Sequence, residues 1–130
     1  MVGLVVISHS AKLAEGVKEL AGQMVPGVAI EAAGGTEFGT LGTDMNKISQ
    51  AVKDVFSEDG VILLFDLGSA FMNAEMAIEC LPEHMKDKVH IIDAALAEGA
   101  VLAAVDCSLD KTVEEIEENL KSMYLGKMPA

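Results

Sequence analysis

The stretch VGLVVISHS, residues 2–10, decides the fold class of this chain. Its apolar run meets no charged residue, which is typical of a β-strand covered on both faces. Three further runs are of the same kind, so we predict strands at residues 2–8, 28–33, 61–65 and 89–94. Strands buried on both faces favour a parallel sheet with helices on each side.

The segments between and after these strands have the periodicity of helices. We predict helices at residues 13–24, 45–56, 69–81, 98–107 and 113–123, the third of them mostly apolar and ended by Pro82. Alternating strands and helices predict one doubly wound α/β domain over residues 1–130. Right-handed crossovers favour a mainly parallel four-stranded sheet of order 2-1-3-4, with no fifth strand.

This strand order predicts where a ligand binds. In open α/β sheets the site lies at the carboxyl ends of the strands, where the winding reverses. Here the reversal falls between the first and third strands, so residues 8–10 and 66–69 are expected to meet. The loops at residues 34–36 and 96–99 should flank the same edge.

His9 and Asp66 are the predicted catalytic pair at this edge. A carboxylate that accepts a hydrogen bond from one imidazole nitrogen leaves the other nitrogen free as a nucleophile. Gly68 and Ser69 open the third helix, so its backbone N–H groups and positive dipole end should bind an anion beside His9. Together these features favour phosphoryl transfer, although an ordinary helix start also explains Gly68 and Ser69.

The glycine-rich stretch at residues 34–43 is not a nucleotide loop. It has no Walker lysine and does not fit G-x-G-x-x-G, so we expect no bound ATP or NAD and no other cofactor. Two interpretations stay open: a mobile surface loop, or a lid or partner-docking loop that carries Thr36 toward the phosphoryl group. We also assign Ser10, beside His9, to phosphoryl binding.

Composition limits the partners. The formal net charge of -12 repels polyanions and excludes nucleic acid as a natural ligand, whereas basic protein partners would suit it. No apolar run approaches the roughly 20 residues of a membrane span, and no signal-peptide pattern is visible, so we expect a cytoplasmic protein. Cys80 and Cys107 form no metal-like cluster, so we expect no metal site and two small buried side chains.

Four motifs occur together along nearly the whole chain. They are VVISHS at residues 5–10, Gly39-x-x-Gly42-Thr43-Asp44, DLGSA at residues 66–70 followed by Ala74-Glu75, and Glu98-Gly99. With this spacing the chain resembles the mannose-type IIA domains of the phosphotransferase system. The DLGSA motif is more similar to the dihydroxyacetone kinase branch of that family than to its sugar-transporting branch.

The resemblance implies a set of partners and roles. His9 would take a phosphoryl group from the phosphocarrier HPr, on Nε2, with the help of Asp66. The group would pass to ADP bound in a DhaL subunit, which phosphorylates dihydroxyacetone held by DhaK. Some relatives carry fused carrier domains, whereas for this chain, which ends at Ala130, we expect a separate HPr. The resemblance also implies a homodimer, consistent with the apolar third helix.

Other functions remain as alternatives. The chain could be a sugar-specific mannose-type component, or a receiver domain phosphorylated on Asp66, although it lacks the receiver's acidic pair after strand one and its lysine after strand five. Ser8, Ser10 and Ser69 keep a hydrolase open, but no nucleophile elbow is recognisable. A non-catalytic binding domain is a further alternative, and the scarcity of aromatic residues disfavours a flavin carrier.

Overall fold

The computed structural model describes residues 1–128; the last two residues of the predicted domain, 129 and 130, lie outside this part. Its elements are β1 (Gly3–Ser8), α1 (Ala11–Met24), β2 (Ile30–Gly34), α2 (Met45–Val55), β3 (Val61–Phe65), α3 (Ala70–Glu79), α4 (Glu83–Lys86), β4 (Val89–Ile92), α5 (Leu96–Ser108), α6 (Val113–Leu120) and a 3₁₀ turn (Lys121–Met123).

The four strands form one parallel sheet in the order β2-β1-β3-β4. The predicted strand order and doubly wound fold are therefore confirmed. No further strand joins this sheet within residues 1–128, and only an isolated antiparallel bridge links Ala94 to Tyr124 beside it.

Helices cover both faces of the sheet, because alternate strand residues point to opposite sides. Leu4 and Val6 belong to the core under α1, α5 and α6. Val5 and Ile7 belong to the core under α2 and α3. The loops after β1 and β3 are left between these layers, at the carboxyl edge of the sheet.

Several predicted boundaries shift slightly. The helix α5 begins at Leu96, two residues before the predicted start, and β4 ends at Ile92, two residues before the predicted end. The short helix α4 was not predicted, since its four residues are too few for a visible periodicity. No helix among the described residues has both the length and the apolar composition to cross a membrane.

The prediction that both cysteines are buried is wrong for Cys80. Cys107 is buried within α5, whereas Cys80 is exposed. The helix α3 buries a stripe of alanines, and the stripe continues to Leu81, which is 4% exposed. Cys80 precedes Leu81 at the helix C-cap and therefore points away from the core.

Candidate active site

His9 and Asp66 follow neighbouring strands at the same level of the sheet. Ile7 of β1 pairs with Phe65 of β3, so the residues that follow these two lie side by side. The ring Nδ1 of His9 is 3.0 Å from Oδ1 of Asp66, and the backbone N–H of His9 donates to Oδ2 over 2.9 Å. The two loops predicted to meet at this edge do so.

Ser8, the last residue of β1, holds the Asp66 carboxylate by a hydrogen bond that could not be predicted from the sequence. Its buried hydroxyl donates to Oδ2 of Asp66 over 2.8 Å and accepts the N–H of Ser10 over 3.0 Å. A polar residue that ends an otherwise apolar buried strand was the only available signal. Because a buried hydroxyl needs partners, this position indicated a hydrogen-bonding role.

The pKa of Asp66 reflects two opposed effects. Partial burial raises the pKa, but hydrogen bonds from the His9 N–H and ring, from the Leu67 N–H and from the Ser8 hydroxyl outweigh it. The pKa therefore lies below its usual value of 3.8, and the carboxylate is ionised at neutral pH. An ionised Asp66 accepts a hydrogen bond from Nδ1–H of His9, which keeps the proton on Nδ1 and leaves Nε2 with its lone pair.

Ser69 lies on the other side of the His9 ring. Its Oγ is 2.7 Å from Nε2, so its hydroxyl donates to the nitrogen lone pair in this tautomer. The His9 side chain keeps a quarter of its surface exposed, against 13% for Asp66. Part of the His9 side chain is therefore open to an incoming reactant, while Asp66 is more shielded.

The start of α3 faces the same space. Ser69 is the N-cap residue of this helix, but its hydroxyl is hydrogen-bonded to His9 and not to the helix backbone. Among the described residues, no hydrogen bond uses the amide N–H of Gly68 or of Ser69. Amides at a helix N-terminus suit the oxygens of an anion. The phosphoryl-binding role of Gly68 and Ser69 stays a prediction.

Ser10 and Thr36 make other contacts. The Ser10 hydroxyl caps α1 by accepting the N–H of Leu13 over 3.2 Å. The Thr36 hydroxyl is 2.7 Å from that of Thr40, inside its own loop. The structure thus gives both side chains local roles, and their binding of a phosphoryl group stays a prediction.

The glycine-rich loop between β2 and α2 is attached to the site. Gly42 donates its N–H to the carbonyl oxygen of His9 over 2.8 Å, with φ at +137°, a conformation that favours glycine. At the far end of the loop, Asn73 of α3 donates to the Thr43 hydroxyl over 2.6 Å. The loop therefore borders His9 on the side opposite β3.

Apolar side chains stand around this opening. Phe38 and Leu41 in the glycine-rich loop are 83% and 80% exposed, and Leu67 and Met72 beside the start of α3 are also exposed. We call these four residues the apolar rim. Exposed apolar groups on the segments that border a reactive centre are typical of a surface that binds another protein.

Both Asp66 oxygens are engaged: Oδ1 with the His9 ring and the Leu67 N–H, and Oδ2 with Ser8 and the His9 N–H. Such a carboxylate suits an orienting role better than attack on phosphorus, which disfavours the receiver alternative. Within residues 1–128, no three His, Cys, Asp or Glu side chains lie together as a metal site.

Solved structures share this architecture. A crystal structure of a protein of unknown function superposes with a TM-score of 0.83 at 30% identity, over 94% of each chain. A sigma-54 interaction domain protein from Enterococcus faecalis gives a TM-score of 0.71, over 93% of this chain and 88% of its own. At 18% identity this second likeness shows the fold alone.

Curated relatives carry the name DhaM. The phosphoryl donor subunit DhaM of dihydroxyacetone kinase 2 from Listeria innocua is 36% identical, over 95% of this chain and 100% of its own length. The phosphotransferase subunit DhaM from Lactococcus lactis is 34% identical, over 96% and 98%. The DhaM subunit from Providencia stuartii is 36% identical over 94% of this chain, which spans only 27% of that longer protein.

The family model EIIA-man, described as the PTS system fructose IIA component, matches residues 3–117. This range contains both members of the His9–Asp66 pair and the start of α3. The chain therefore belongs to the EIIA-man family and, within it, to the group of DhaM phosphotransferase subunits.

Proposed function

We propose that this protein is a phosphohistidine carrier of a dihydroxyacetone kinase. It accepts a phosphoryl group from HPr on Nε2 of His9 and passes it to ADP bound in a DhaL subunit, which phosphorylates dihydroxyacetone held by DhaK. The observation that carries the proposal is the placement of the His9 ring, with Asp66 on Nδ1 and a quarter of the side chain open to solvent. The DhaM relatives favour this role over that of a sugar-specific component.

In the uptake step a phosphoryl group is transferred from the imidazole of the donor to that of His9. The Nε2–P bond forms as the P–N bond of the donor breaks, and the donor imidazole leaves with its electron pair. The His9 ring gains positive charge, which the Asp66 carboxylate stabilises through the Nδ1–H hydrogen bond. The Ser69 hydroxyl is released from Nε2 and can donate to a phosphoryl oxygen, as can the amides of Gly68 and Ser69.

In the release step the phosphoryl group leaves His9 for ADP. A β-phosphate oxygen of ADP forms a bond to phosphorus while the Nε2–P bond breaks, and Nε2 recovers its lone pair. We expect the nucleotide to come with the partner, because residues 34–43 fit neither the Walker nor the G-x-G-x-x-G pattern. Positioning and charge stabilisation account for the chemistry that remains.

Both partners must approach the same surface in turn, because both react at Nε2. We assign their docking to the apolar rim. The contact would combine burial of Phe38, Leu41, Leu67 and Met72 with attraction between a basic partner face and the net charge of -12. Donor and acceptor are therefore expected to compete for the free protein.

Mass spectrometry after incubation with phosphoenolpyruvate, enzyme I and HPr tests the carrier role. We expect one phosphoryl group, mapped to His9, that is discharged when DhaL and ADP are added. The modification should be labile in acid and stable in alkali, as expected for phosphohistidine. Label on Asp66, or no label at all, would contradict the proposal.

A small phosphoryl donor tests the docking surface separately. Phosphoramidate needs no protein contact, so Leu41→Ser should be phosphorylated by it at the wild-type rate but by phospho-HPr more slowly. The matched control is Leu109→Ser, which changes a similarly exposed leucine just beyond the end of α5. Equal slowing in both variants, or in neither, would exclude the apolar rim as the docking surface.

A hydrolase is the second candidate, and one contact favours it. Ser69 Oγ, His9 and Asp66 are hydrogen-bonded in the same sequence as a Ser-His-Asp triad, over 2.7 and 3.0 Å. A fluorophosphonate probe that labels Ser69 in the wild type but not in His9→Ala would support this activity. Absence of labelling would leave Ser69 as a phosphoryl ligand.

We also propose a homodimer, which stays a prediction. The helix α3 also exposes Met76, outside the apolar rim, and a second copy could cover this face. Sedimentation of the wild type at micromolar concentration should give twice the monomer mass. A Met76→Lys variant should shift the equilibrium to monomer if this face is used.

A further inference from the structure

The segment that follows α6 crosses the carboxyl edge of the sheet beside the active site. The Nζ of its Lys127 donates hydrogen bonds to two backbone carbonyls. These belong to Phe65 at the end of β3 and Ala94 just beyond β4, over 2.5 and 2.9 Å. The ammonium also lies 4.6 Å from the centre of the Phe65 ring. Lys127 lies beyond residues 3–117, which the family model matches.

The backbone of Lys127 is held as firmly as its side chain. Its N–H donates to Oδ2 of Asp93 over 2.6 Å, and Asp93 is buried. On the other side, a Cβ built on Gly68 would lie 2.5 Å from the carbonyl oxygen of Lys127. Gly68 therefore has a steric reason to be glycine, in addition to its predicted phosphoryl-binding role.

The charges around Lys127 come from both strands it joins. Asp66 faces it from the end of β3 and Asp93 from the end of β4, while His9 lies on the far side of Asp66. Burial lowers the pKa of Lys127 below its usual value, and the two carboxylates offset this effect only in part. The two carbonyl acceptors and the Phe65 ring suit the charged ammonium.

We propose that Lys127 is a positioning residue for phosphoryl transfer: its ammonium fixes the Phe65–Asp66 peptide and adds a positive charge near the Asp66 carboxylate. The Phe65 carbonyl belongs to the peptide unit that leads into Asp66, so anchoring it limits the motion of that carboxylate. This role deepens the proposed carrier function and rests on it.

Three variants test the proposal. Lys127→Met removes the charge and the hydrogen bonds while keeping an unbranched chain, and Lys127→Arg keeps both. The matched control is Lys121→Met, which removes the same charge from an exposed lysine that pairs with Glu118. Circular dichroism shows whether each variant folds, and Lys127→Gln replaces Lys127→Met if that variant does not.

The first measurement is the rate of His9 phosphorylation by phosphoramidate at neutral pH. We expect Lys127→Met to be slower by about 10-fold, the effect of roughly 1.4 kcal/mol in the barrier. Lys127→Arg should recover most of the rate, and Lys121→Met should match the wild type. A wild-type rate in Lys127→Met, or equal loss in Lys121→Met, would overturn the proposal.

The second measurement is an NMR titration of the Asp66 carboxyl carbon, which needs no phosphoryl transfer. Loss of a nearby positive charge raises the pKa of a carboxyl group, so the Lys127→Met midpoint should move to higher pH. A role confined to holding the terminal segment would slow Lys127→Met without moving the Asp66 midpoint, so an unmoved midpoint would refute the electrostatic role. If wild-type His9 takes no phosphoryl group from phosphoramidate or phospho-HPr, the carrier function fails while this titration still decides how Lys127 acts on Asp66.

Discussion

The hydroxyl oxygen of Ser69 lies 2.7 Å from Nε2 of His9, on the side of the ring opposite Asp66. The ring is thus held at both nitrogens, by an acceptor at Nδ1 and by a donor at Nε2. A donor at the nucleophilic nitrogen must be displaced before phosphorus arrives, and it can then bond to the phosphoryl group. Ser69 therefore occupies the lone pair at rest and can stabilise the product.

Ser69→Ala should slow phosphorylation of His9 but not prevent it. A hydrogen bond to a charged group contributes about 1.5 to 3 kcal/mol, which corresponds to roughly 10-fold to 150-fold in rate if it is made only in the transition state. Rapid-quench measurement of phosphoryl uptake from phospho-HPr tests this. An unchanged rate would show that the loss of the donor at Nε2 offsets the loss of the phosphoryl contact.

The variant Ser10→Ala separates the capping role of this hydroxyl from its predicted role in phosphoryl binding. The Ser10 hydroxyl caps α1, so its loss should lower the free energy of unfolding by about 1 kcal/mol, measured by urea unfolding. If Ser10 also binds the phosphoryl group, as predicted from the sequence, phosphoryl uptake will slow as well. A normal rate in a less stable protein would leave Ser10 with the cap alone.

His9→Ala should abolish phosphotransfer and leave the fold intact. The residue follows β1 and a quarter of its side chain is exposed, so little packing is lost. Circular dichroism and a coupled dihydroxyacetone kinase assay with DhaK and DhaL measure the two properties. His84→Ala, which changes an exposed histidine on α4, is the control and should keep full turnover. Turnover retained by His9→Ala would exclude His9 as the carrier.

Much of the fold could be predicted because this sheet is buried on both faces. Strands such as Val61–Phe65 are then continuous apolar runs, which a parallel, doubly wound arrangement covers on both faces. The exact ends could not be predicted, because they depend on contacts between distant segments. Tyr124, for example, bridges to Ala94 beyond the end of β4.

The site could be predicted only in part. Asp66 and His9 could be predicted because the topology places strand ends together, and the sequence shows where these strands end. The contacts of Ser8 and Lys127 were not found. The Ser8 contact depends on the direction of a side chain, and that of Lys127 depends on the path of the chain after α6, where no periodic pattern indicates the partner.

The two cysteines should differ in reactivity toward a thiol reagent. Cys80 is exposed, whereas burial, with a contribution from the charge of Asp106, raises the pKa of Cys107 to about 12. The thiolate is the reactive form, so we expect Ellman's reagent to modify one thiol in the native protein and both in urea. The variant Cys80→Ser should show no fast reaction. Fast loss of both thiols in the folded wild type would mean that α5 opens readily.

The variant Asp66→Asn should still accept a phosphoryl group on His9, but more slowly than the wild type. The amide keeps the shape of the carboxylate but can no longer stabilise the charge that develops on the ring, and it permits the wrong tautomer. We expect a loss of about 10²-fold to 10⁴-fold, typical of one positioned acid–base group. Quantifying phosphohistidine over time in the two proteins tests this. Equal rates would remove Asp66 from the mechanism.

The same substitution should change how stability depends on pH. The pKa of Asp66 is lower in the folded protein than its ordinary value of 3.8, because hydrogen bonds outweigh burial. A group with a lowered folded pKa stabilises the fold above its unfolded pKa, and this contribution is lost as the pH falls through the folded pKa. The difference in unfolding free energy between wild type and Asp66→Asn should therefore be largest near neutral pH and shrink below about pH 4.

Urea unfolding of wild type and Asp66→Asn from about pH 7 to about pH 3 measures this difference. A difference that stays constant over this range would mean that the bonds from Ser8, His9 and Leu67 to Asp66 do not favour its charged form.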